Sequence, residues 1–78
     1  MKRVEVDCRR MLCPMPVIKV QNQAAKLLPG DEIEAICTDP GALNDIPAWS
    51  RINGHGVLET RTERDEYIVV VRVGEQGS

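Results

Sequence analysis

Four segments of the chain have the apolar and polar pattern of β-strands. Residues 2–7 and 32–38 alternate between polar and apolar side chains, which is typical of a half-buried strand. Residues 57–63 and 66–73 are rich in β-branched residues, and we interpret them as two strands joined at "RD", an antiparallel hairpin. The pattern also predicts which side chains face inward: Val4, Val6, Ile33, Ala35 and Cys37.

The segment after the first strand has apolar residues at helical spacing. They recur at three and four residues from Val17 to Leu28, which predicts a first helix over residues 14–28. The sequence "PGD" at 29–31 supplies the residues that commonly end a helix.

A second helix is predicted between the second and third strands. Asp39 is a suitable N-cap and Pro40 a suitable first helical residue. We expect Pro47 to kink this helix or to divide it after Ile46. The sequence "NGHG" at 53–56 ends it, with His55 as a turn residue that could serve a partner if exposed. We assign Ile46 and Trp49 to the core, and we expect Asp45 to be solvated.

The resulting order, βαβαββ, predicts a two-layer α/β sandwich. Right-handed crossovers place both helices on one face of a four-stranded mixed sheet. We expect one domain over residues 1–74 and a flexible tail at 75–78. If the first two strands are parallel, both helices begin at the same edge of the sheet, so Cys13 and Asp39 are expected to be neighbours.

Composition narrows the classes of function. The chain has 78 residues, 42% hydrophobic and 28% charged, with a net charge of −2. This charge argues against a nucleic-acid binder that relies on a broad basic surface. No apolar run is long enough for a membrane span, and the N-terminus lacks the apolar stretch of a signal peptide, so we expect a cytoplasmic protein without membrane contact.

The three cysteines are Cys8, Cys13 and Cys37. An odd number without an export signal indicates thiol chemistry rather than a disulfide framework. With His55 as the single histidine, the spacing gives no paired ligands for zinc. We therefore expect neither a metal nor a cofactor.

The sequence "CPMP" at 13–16 is the strongest candidate site. We expect Cys13 to be the N-cap of the first helix, where free N–H groups and the helix dipole lower the pKa of a thiol. Pro14 and Pro16 fix φ and carry no N–H, which leaves the N–H groups of Met15 and Val17 to point at the sulfur. The alternative is a buried cysteine before an incidental proline-rich helix start.

Several segments together resemble the TusA (SirA-like) family of small sulfur-carrier proteins. They are "VD" in the first strand, "LCPMPVIKV", "LLPGDEIEAICTDPGALNDIPAW" and "NGHGVLE". The Cys-Pro-x-Pro element at the start of the first helix is specific, and the resemblance covers nearly the whole chain. It implies a sulfurtransferase-type carrier in which Cys13 accepts sulfane sulfur as a persulfide. The expected partners are a sulfur donor, such as a cysteine desulfurase or a rhodanese-like protein, and a sulfur acceptor in tRNA thiolation or sulfur oxidation.

The chain departs from the family pattern around the cysteine. Relatives usually carry Gly where this chain has Arg10, and often Arg and Glu where it has Leu12 and Met15. With Met11, these apolar side chains either form a partner-binding patch or pack onto the core.

Cys8 and Cys37 are candidates for a second thiol, although burial in the core is the simpler interpretation of both. The other class of function left open is a non-catalytic regulatory module that binds RNA or protein through the same sandwich.

Overall fold

The six predicted elements are present in the predicted order. The computed structural model describes residues 2–74; the predicted tail at 75–78 lies outside the described residues. The elements are β1 (Arg3–Cys8), α1 (Met15–Ala24), β2 (Glu32–Cys37), α2 (Ala42–Ile52), β3 (Gly56–Glu63) and β4 (Glu66–Arg72). Among the described residues, no helix has the length and apolar content needed to cross a membrane.

The four strands form one mixed sheet in the order β1-β2-β4-β3. β1 and β2 are parallel, and their register pairs Val4 with Ile33 and Cys8 with Cys37. β4 is antiparallel to both β2 and β3. The predicted two-layer α/β sandwich is therefore confirmed, with α1 packed on β1 and β2 and α2 packed on β3 and β4.

The core lies between the helices and one face of the sheet. Ile33, Ala35 and Cys37 are fully buried, as the alternation in β2 predicts, and Val6 is nearly so. The helices contribute a smaller set of buried side chains: Pro16, Val20 and Ala24 from α1, and Ala42, Ile46, Pro47 and Ser50 from α2. Val4 and Trp49 are partly buried against this cluster.

Within residues 2–74 no helix covers the opposite face of the sheet, yet Ile36, Ile68 and Val70 are buried there. Arg61 lies beside this cluster and pairs with Glu34 and Glu59, both at 2.9 Å. Because the aliphatic stems of long charged side chains cover apolar surface, such ion pairs can bury a small apolar cluster without a second layer.

Both helices are shorter than predicted. α1 ends at Ala24 because the chain tightens there: the N–H of Lys26 donates to Gln23 and that of Leu27 to Ala24, bonds that span three residues. Leu27 then packs against the core, whereas Leu28 is exposed.

α2 begins two residues later than predicted and is not divided. Its N-cap is Gly41. The N–H groups of Ala42, Leu43 and Asn44 donate across three residues, and the N–H of Asp45 is the first to donate across four, to the carbonyl of Gly41. Pro47 lies inside the continuous helix. Because it has no N–H, it cannot donate the helical hydrogen bond to the carbonyl of Leu43.

His55 follows the turn that ends α2 and is buried, so its imidazole is not the exposed group that could have served a partner. Its ring lies 4.8 Å from that of Trp49. Its Nδ1 accepts a hydrogen bond of 2.9 Å from the N–H of Gly74, which ties the end of β4 to the loop after α2. Burial lowers the pKa of His55.

We expect acid to destabilise the fold through His55. Because its pKa is lower in the folded state, the unfolded chain binds this proton first, and the stabilisation is lost as pH falls below about 6.5. The midpoint temperature of thermal unfolding should therefore be lower at pH 5.5 than at pH 7.5. In His55→Asn, a non-titrating amide oxygen can replace Nδ1, and the decrease should be smaller. Equal decreases in both proteins would contradict the assignment.

Candidate functional site

The starts of α1 and α2 meet at one edge of the sheet, as the parallel arrangement of β1 and β2 predicts. Two hydrogen bonds join the loops that precede the helices. The N–H of Arg10 donates to Oγ1 of Thr38 at 2.8 Å, and the N–H of Cys13 donates to Oδ2 of Asp39 at 3.2 Å. Cys13 is thus held beside the start of the second helix, and its side chain is exposed.

Cys13 lies one residue outside the cap of α1, so its predicted N-cap position is wrong. The N-cap is Pro14, the first helical residue is Met15, and Pro16 is the second. The peptide bond between Cys13 and Pro14 is cis. The N–H of Met15 donates to the carbonyl of Leu12 at 2.9 Å and is therefore not available to the sulfur.

The pKa of the Cys13 thiol is raised, which is opposite to the direction predicted from a helix start. The main cause is the nearby carboxylate of Asp45. Desolvation by neighbouring groups and the charges of Asp45 and Asp39 also raise the pKa of this thiol. A carboxylate beside a thiol disfavours the thiolate because the two negative charges repel.

Asp45 is a site residue that the sequence interpretation missed. It lies in the first turn of α2 and is half-buried, not solvated. A signal was present in the sequence: if both helices begin at one edge, an acidic residue in the first turn of the second helix lies opposite the cysteine before the first. The sequence analysis predicts Asp39, but not Asp45, as a neighbour of Cys13.

Asp39 does not cap α2; instead it connects the two helix starts. Its Oδ1 accepts the N–H of Gly41 at 3.0 Å while its Oδ2 accepts the N–H of Cys13. One carboxylate therefore orders both loops around the thiol, the Asx arrangement that Asp favours in turns.

Exposed apolar side chains flank Cys13. Leu12 is 75% exposed, Met15 48% and Ile18 39%; we refer to these three residues as the apolar patch. Met11 and Val17 are partly buried and pack against the core. Of the apolar residues predicted for partner binding, Leu12 and Met15 are thus at the surface and Met11 belongs to the core.

Cys8 and Cys37 lie beneath this site, paired across β1 and β2. Both are fully buried free thiols. The thiol of Cys8 is 3.9 Å from the carbonyl of Pro16, and the neighbouring Cys8 together with burial raises the pKa of Cys37. Within residues 2–74, no cluster of three or more His, Cys, Asp or Glu side chains could hold a metal ion.

The fold and site define a class: a small βαβαββ sandwich that exposes one cysteine before a proline-rich helix. The sequence model of the family described as "Sulfurtransferase TusA" matches residues 4–73. The chain belongs to the TusA family.

Individual relatives agree with this family assignment. YrkI of Bacillus subtilis (strain 168) is 38% identical over 60 residues, which are 77% of this chain and 80% of that protein. A protein of Pseudomonas paraeruginosa named "Sulfur carrier protein TusA" is 33% identical over 67 residues, 86% of this chain and 85% of the relative. The crystal structure of a SirA-like protein from Desulfitobacterium hafniense superposes with a TM-score of 0.79 at 19% identity, covering 96% of this chain and all of the other, and shows the same fold.

Arg10 has the backbone conformation that glycine adopts most easily. Its φ is 64°, in the left-handed region, where an L side chain crowds the following carbonyl. The family resemblance implies Gly at this position, and the left-handed conformation gives a physical reason for such a preference.

We expect Arg10→Gly to stabilise the fold. The left-handed conformation costs a non-glycine residue roughly 1–2 kcal/mol. Glycine itself destabilises the fold by about 0.5–1 kcal/mol, because it increases the entropy of the unfolded chain. The free energy of unfolding in urea should rise by up to about 1.5 kcal/mol. Arg10→Ala is the control, since it removes the long side chain but keeps Cβ; an equal gain in both variants would contradict the explanation.

Proposed function

We propose that this chain is a sulfur carrier that takes up sulfane sulfur as a persulfide on Cys13 and passes it to an acceptor protein. The observation that supports this most directly is the exposure of Cys13, in contrast to the complete burial of Cys8 and Cys37. Membership of the TusA family and the names of its relatives point to the same role.

The transfer needs no external oxidant or reductant. The Cys13 thiolate attacks the outer sulfur of a donor persulfide and forms a new S–S bond. The donor S–S bond breaks, its electron pair stays on the donor sulfur, and that sulfur takes up the proton that Cys13 lost. In the second step a nucleophile of the acceptor attacks the outer sulfur of the Cys13 persulfide, and Cys13 returns to the thiol.

The position of Cys13 on the surface favours direct exchange between proteins. Two grooves, of about 370 and 340 Å³, lie beside α2 and β3 and beside the end of β4, and neither includes Cys13. The donor, a cysteine desulfurase or a rhodanese-like protein, would therefore bring its own sulfur to the thiol. The acceptor would belong to tRNA thiolation or to sulfur oxidation, the two destinations that the family resemblance suggests.

Residues that surround the sulfur must enter such an interface, so we assign Leu12 and Met15 of the apolar patch to partner binding. The centre of a protein interface is typically depleted in charge and enriched in Met. A partner with an apolar recess would fit this surface.

We expect Cys13 to be the residue that accepts sulfur. After incubation with glutathione persulfide, the intact mass of the protein should increase by one sulfur atom, and reduction should remove it. Cys13→Ser should show no gain. Cys8→Ala and Cys37→Ala, which keep the buried positions apolar, should load like the unmodified protein. A full gain in Cys13→Ser would disprove the assignment.

We expect the double substitution Leu12→Arg, Met15→Glu to abolish docking of the sulfur-donor protein. A buried unpaired charge costs several kcal/mol, and each 1.4 kcal/mol is about tenfold in affinity. The dissociation constant, measured by titration calorimetry, should therefore rise at least about a hundredfold.

The matched control is Leu28→Arg, Ile52→Glu. It introduces the same charges at two other exposed residues, Leu28 (72%) and Ile52 (83%). Leu28 follows α1 and Ile52 is the last residue of α2, so both lie at the ends of the helices opposite to Cys13. The control should bind normally. Equal binding by both double variants would place Leu12 and Met15 outside the interface.

A further inference from the structure

β3 is an edge strand of the sheet, on the opposite side from β1 and from the loop that carries Cys13. We propose that β3 is the docking edge for a second copy of this chain. The two β3 strands pair antiparallel across a twofold axis, with Thr60 opposite the second copy's Thr60, and the two four-stranded sheets become one sheet of eight strands. This inference goes beyond the proposed function, because it assigns an interaction surface that leaves both copies of Cys13 exposed.

The two edges of the sheet differ in how well they are protected. At the β1 edge, Nζ of Lys19 donates to the carbonyl of Asp7 at 2.6 Å and occupies a backbone group of the strand. Within residues 2–74, no bond from a side chain reaches the backbone of β3; the side-chain bonds made there join Arg61 to Glu59 and Glu34. The sequence of β3, GVLETRTE, also contains neither Lys nor Pro, which commonly protect an exposed edge. β3 is therefore the edge that is open to a further strand.

The backbone groups of Thr60 and Thr62 point away from β4. Glu63 and Glu66 pair across a two-residue turn, so they form a hydrogen-bonded pair. Hydrogen-bonded and non-hydrogen-bonded pairs alternate along an antiparallel ladder. The N–H and C=O groups of Thr62 and Thr60 therefore face the open edge, and both residues are exposed.

The charges of β3 fit an antiparallel copy of the same strand. With Thr60 on the twofold axis, each Glu59 lies opposite the second copy's Arg61, and opposite charges directly across a ladder are favourable. The side chains of Glu59 and Arg61 are 48% and 31% exposed. A register centred on Arg61 would place two arginines opposite each other and Glu59 opposite Glu63, which is unfavourable. A register centred on Thr62 would pair only the end of the strand next to the turn. The charge pattern therefore favours the register centred on Thr60.

The groove of about 370 Å³ beside α2 and β3 gives the second strand space on the helix side of the sheet. Pro47 and Leu58 are among the apolar residues that line it. Because side chains alternate between the faces of a strand, those of the second copy's Thr60 and Thr62 would lie over this groove. Leu58, which is 46% exposed, would be covered by the second copy's Thr62. The irregular step of β3 at Leu58 lies outside Glu59–Arg61, which carries the central pairs.

The first test traps the dimer through introduced cysteines. Thr60→Cys and Thr62→Cys are made in a Cys13→Ser background, where the other thiols, Cys8 and Cys37, are fully buried. In the proposed register the two copies of residue 60 form a hydrogen-bonded pair, with Cα atoms about 5.5 Å apart, a separation that a disulfide can span. The two copies of residue 62 lie about 13 Å apart, four residues along the strands. Diamide should therefore convert Thr60→Cys to a disulfide-linked dimer on a non-reducing gel and leave Thr62→Cys monomeric.

The second test reverses charges and needs no covalent bond. Glu59→Arg makes both charged positions of the register positive, and Arg61→Glu makes both negative. Each variant alone should be monomeric because like charges lie opposite each other, whereas an equimolar mixture should form a heterodimer with opposite charges in every pair. Sedimentation equilibrium at millimolar protein measures the association, since one added strand makes a small interface. Circular dichroism confirms that each variant is folded; the cysteine variants keep all the ion pairs of Arg61.

Three results would overturn the proposal. Equal crosslinking of Thr60→Cys and Thr62→Cys would contradict the register. A mixture of the folded charge variants that stays monomeric would contradict the pairing of Glu59 with Arg61. An unmodified protein that remains monomeric at millimolar concentration would exclude a second copy as the occupant and leave the edge of β3 to an extended segment of another protein.

Discussion

The parallel pairing of β1 with β2 is the constraint on which the rest of the site depends. Because Cys8 lies opposite Cys37 in this register, the two strands end together and both following helices begin at one edge of the sheet. The two loops are then close enough for direct hydrogen bonds, and Asp39 accepts the N–H of Cys13. In an antiparallel arrangement the two helix starts would lie at opposite edges, and Cys13 would have neither Asp39 nor Asp45 beside it.

The three cysteines differ in burial: two pack inside the core and one is exposed at the surface. Cys8 and Cys37 occupy inward-facing strand positions, where a thiol behaves as a small apolar side chain. Cys13 lies in a loop that the first helix holds in place, so its sulfur is exposed on an ordered backbone. The proposed exchange of sulfur with other proteins needs this combination, because access requires exposure and a defined geometry of attack requires order.

Electrostatics around Cys13 follow from the tertiary structure and not from the helix alone. A cysteine before a helix commonly has a lowered pKa, and the prediction for Cys13 rested on that rule. The rule assumes that the dipole is the strongest nearby field. Here Asp45, from a helix that begins 29 residues after Cys13 in the chain, overrides it. The carboxylate therefore disfavours the thiolate form of Cys13.

The sequence by itself determined the features that depend on local patterns. Period-two alternation placed Ile33, Ala35 and Cys37 in the core, and helical spacing with the two prolines located the start of α1 within a residue. The Cys-Pro-x-Pro element indicated the family. Tertiary structure decided what depends on contacts between distant segments. Three-residue turns ended α1 early, Gly74 and Trp49 enclosed His55, and Asp45 reversed the expected change in the pKa of Cys13. Burial and charge are properties of a residue's neighbours in space, and local periodicity carries information only about neighbours along the chain.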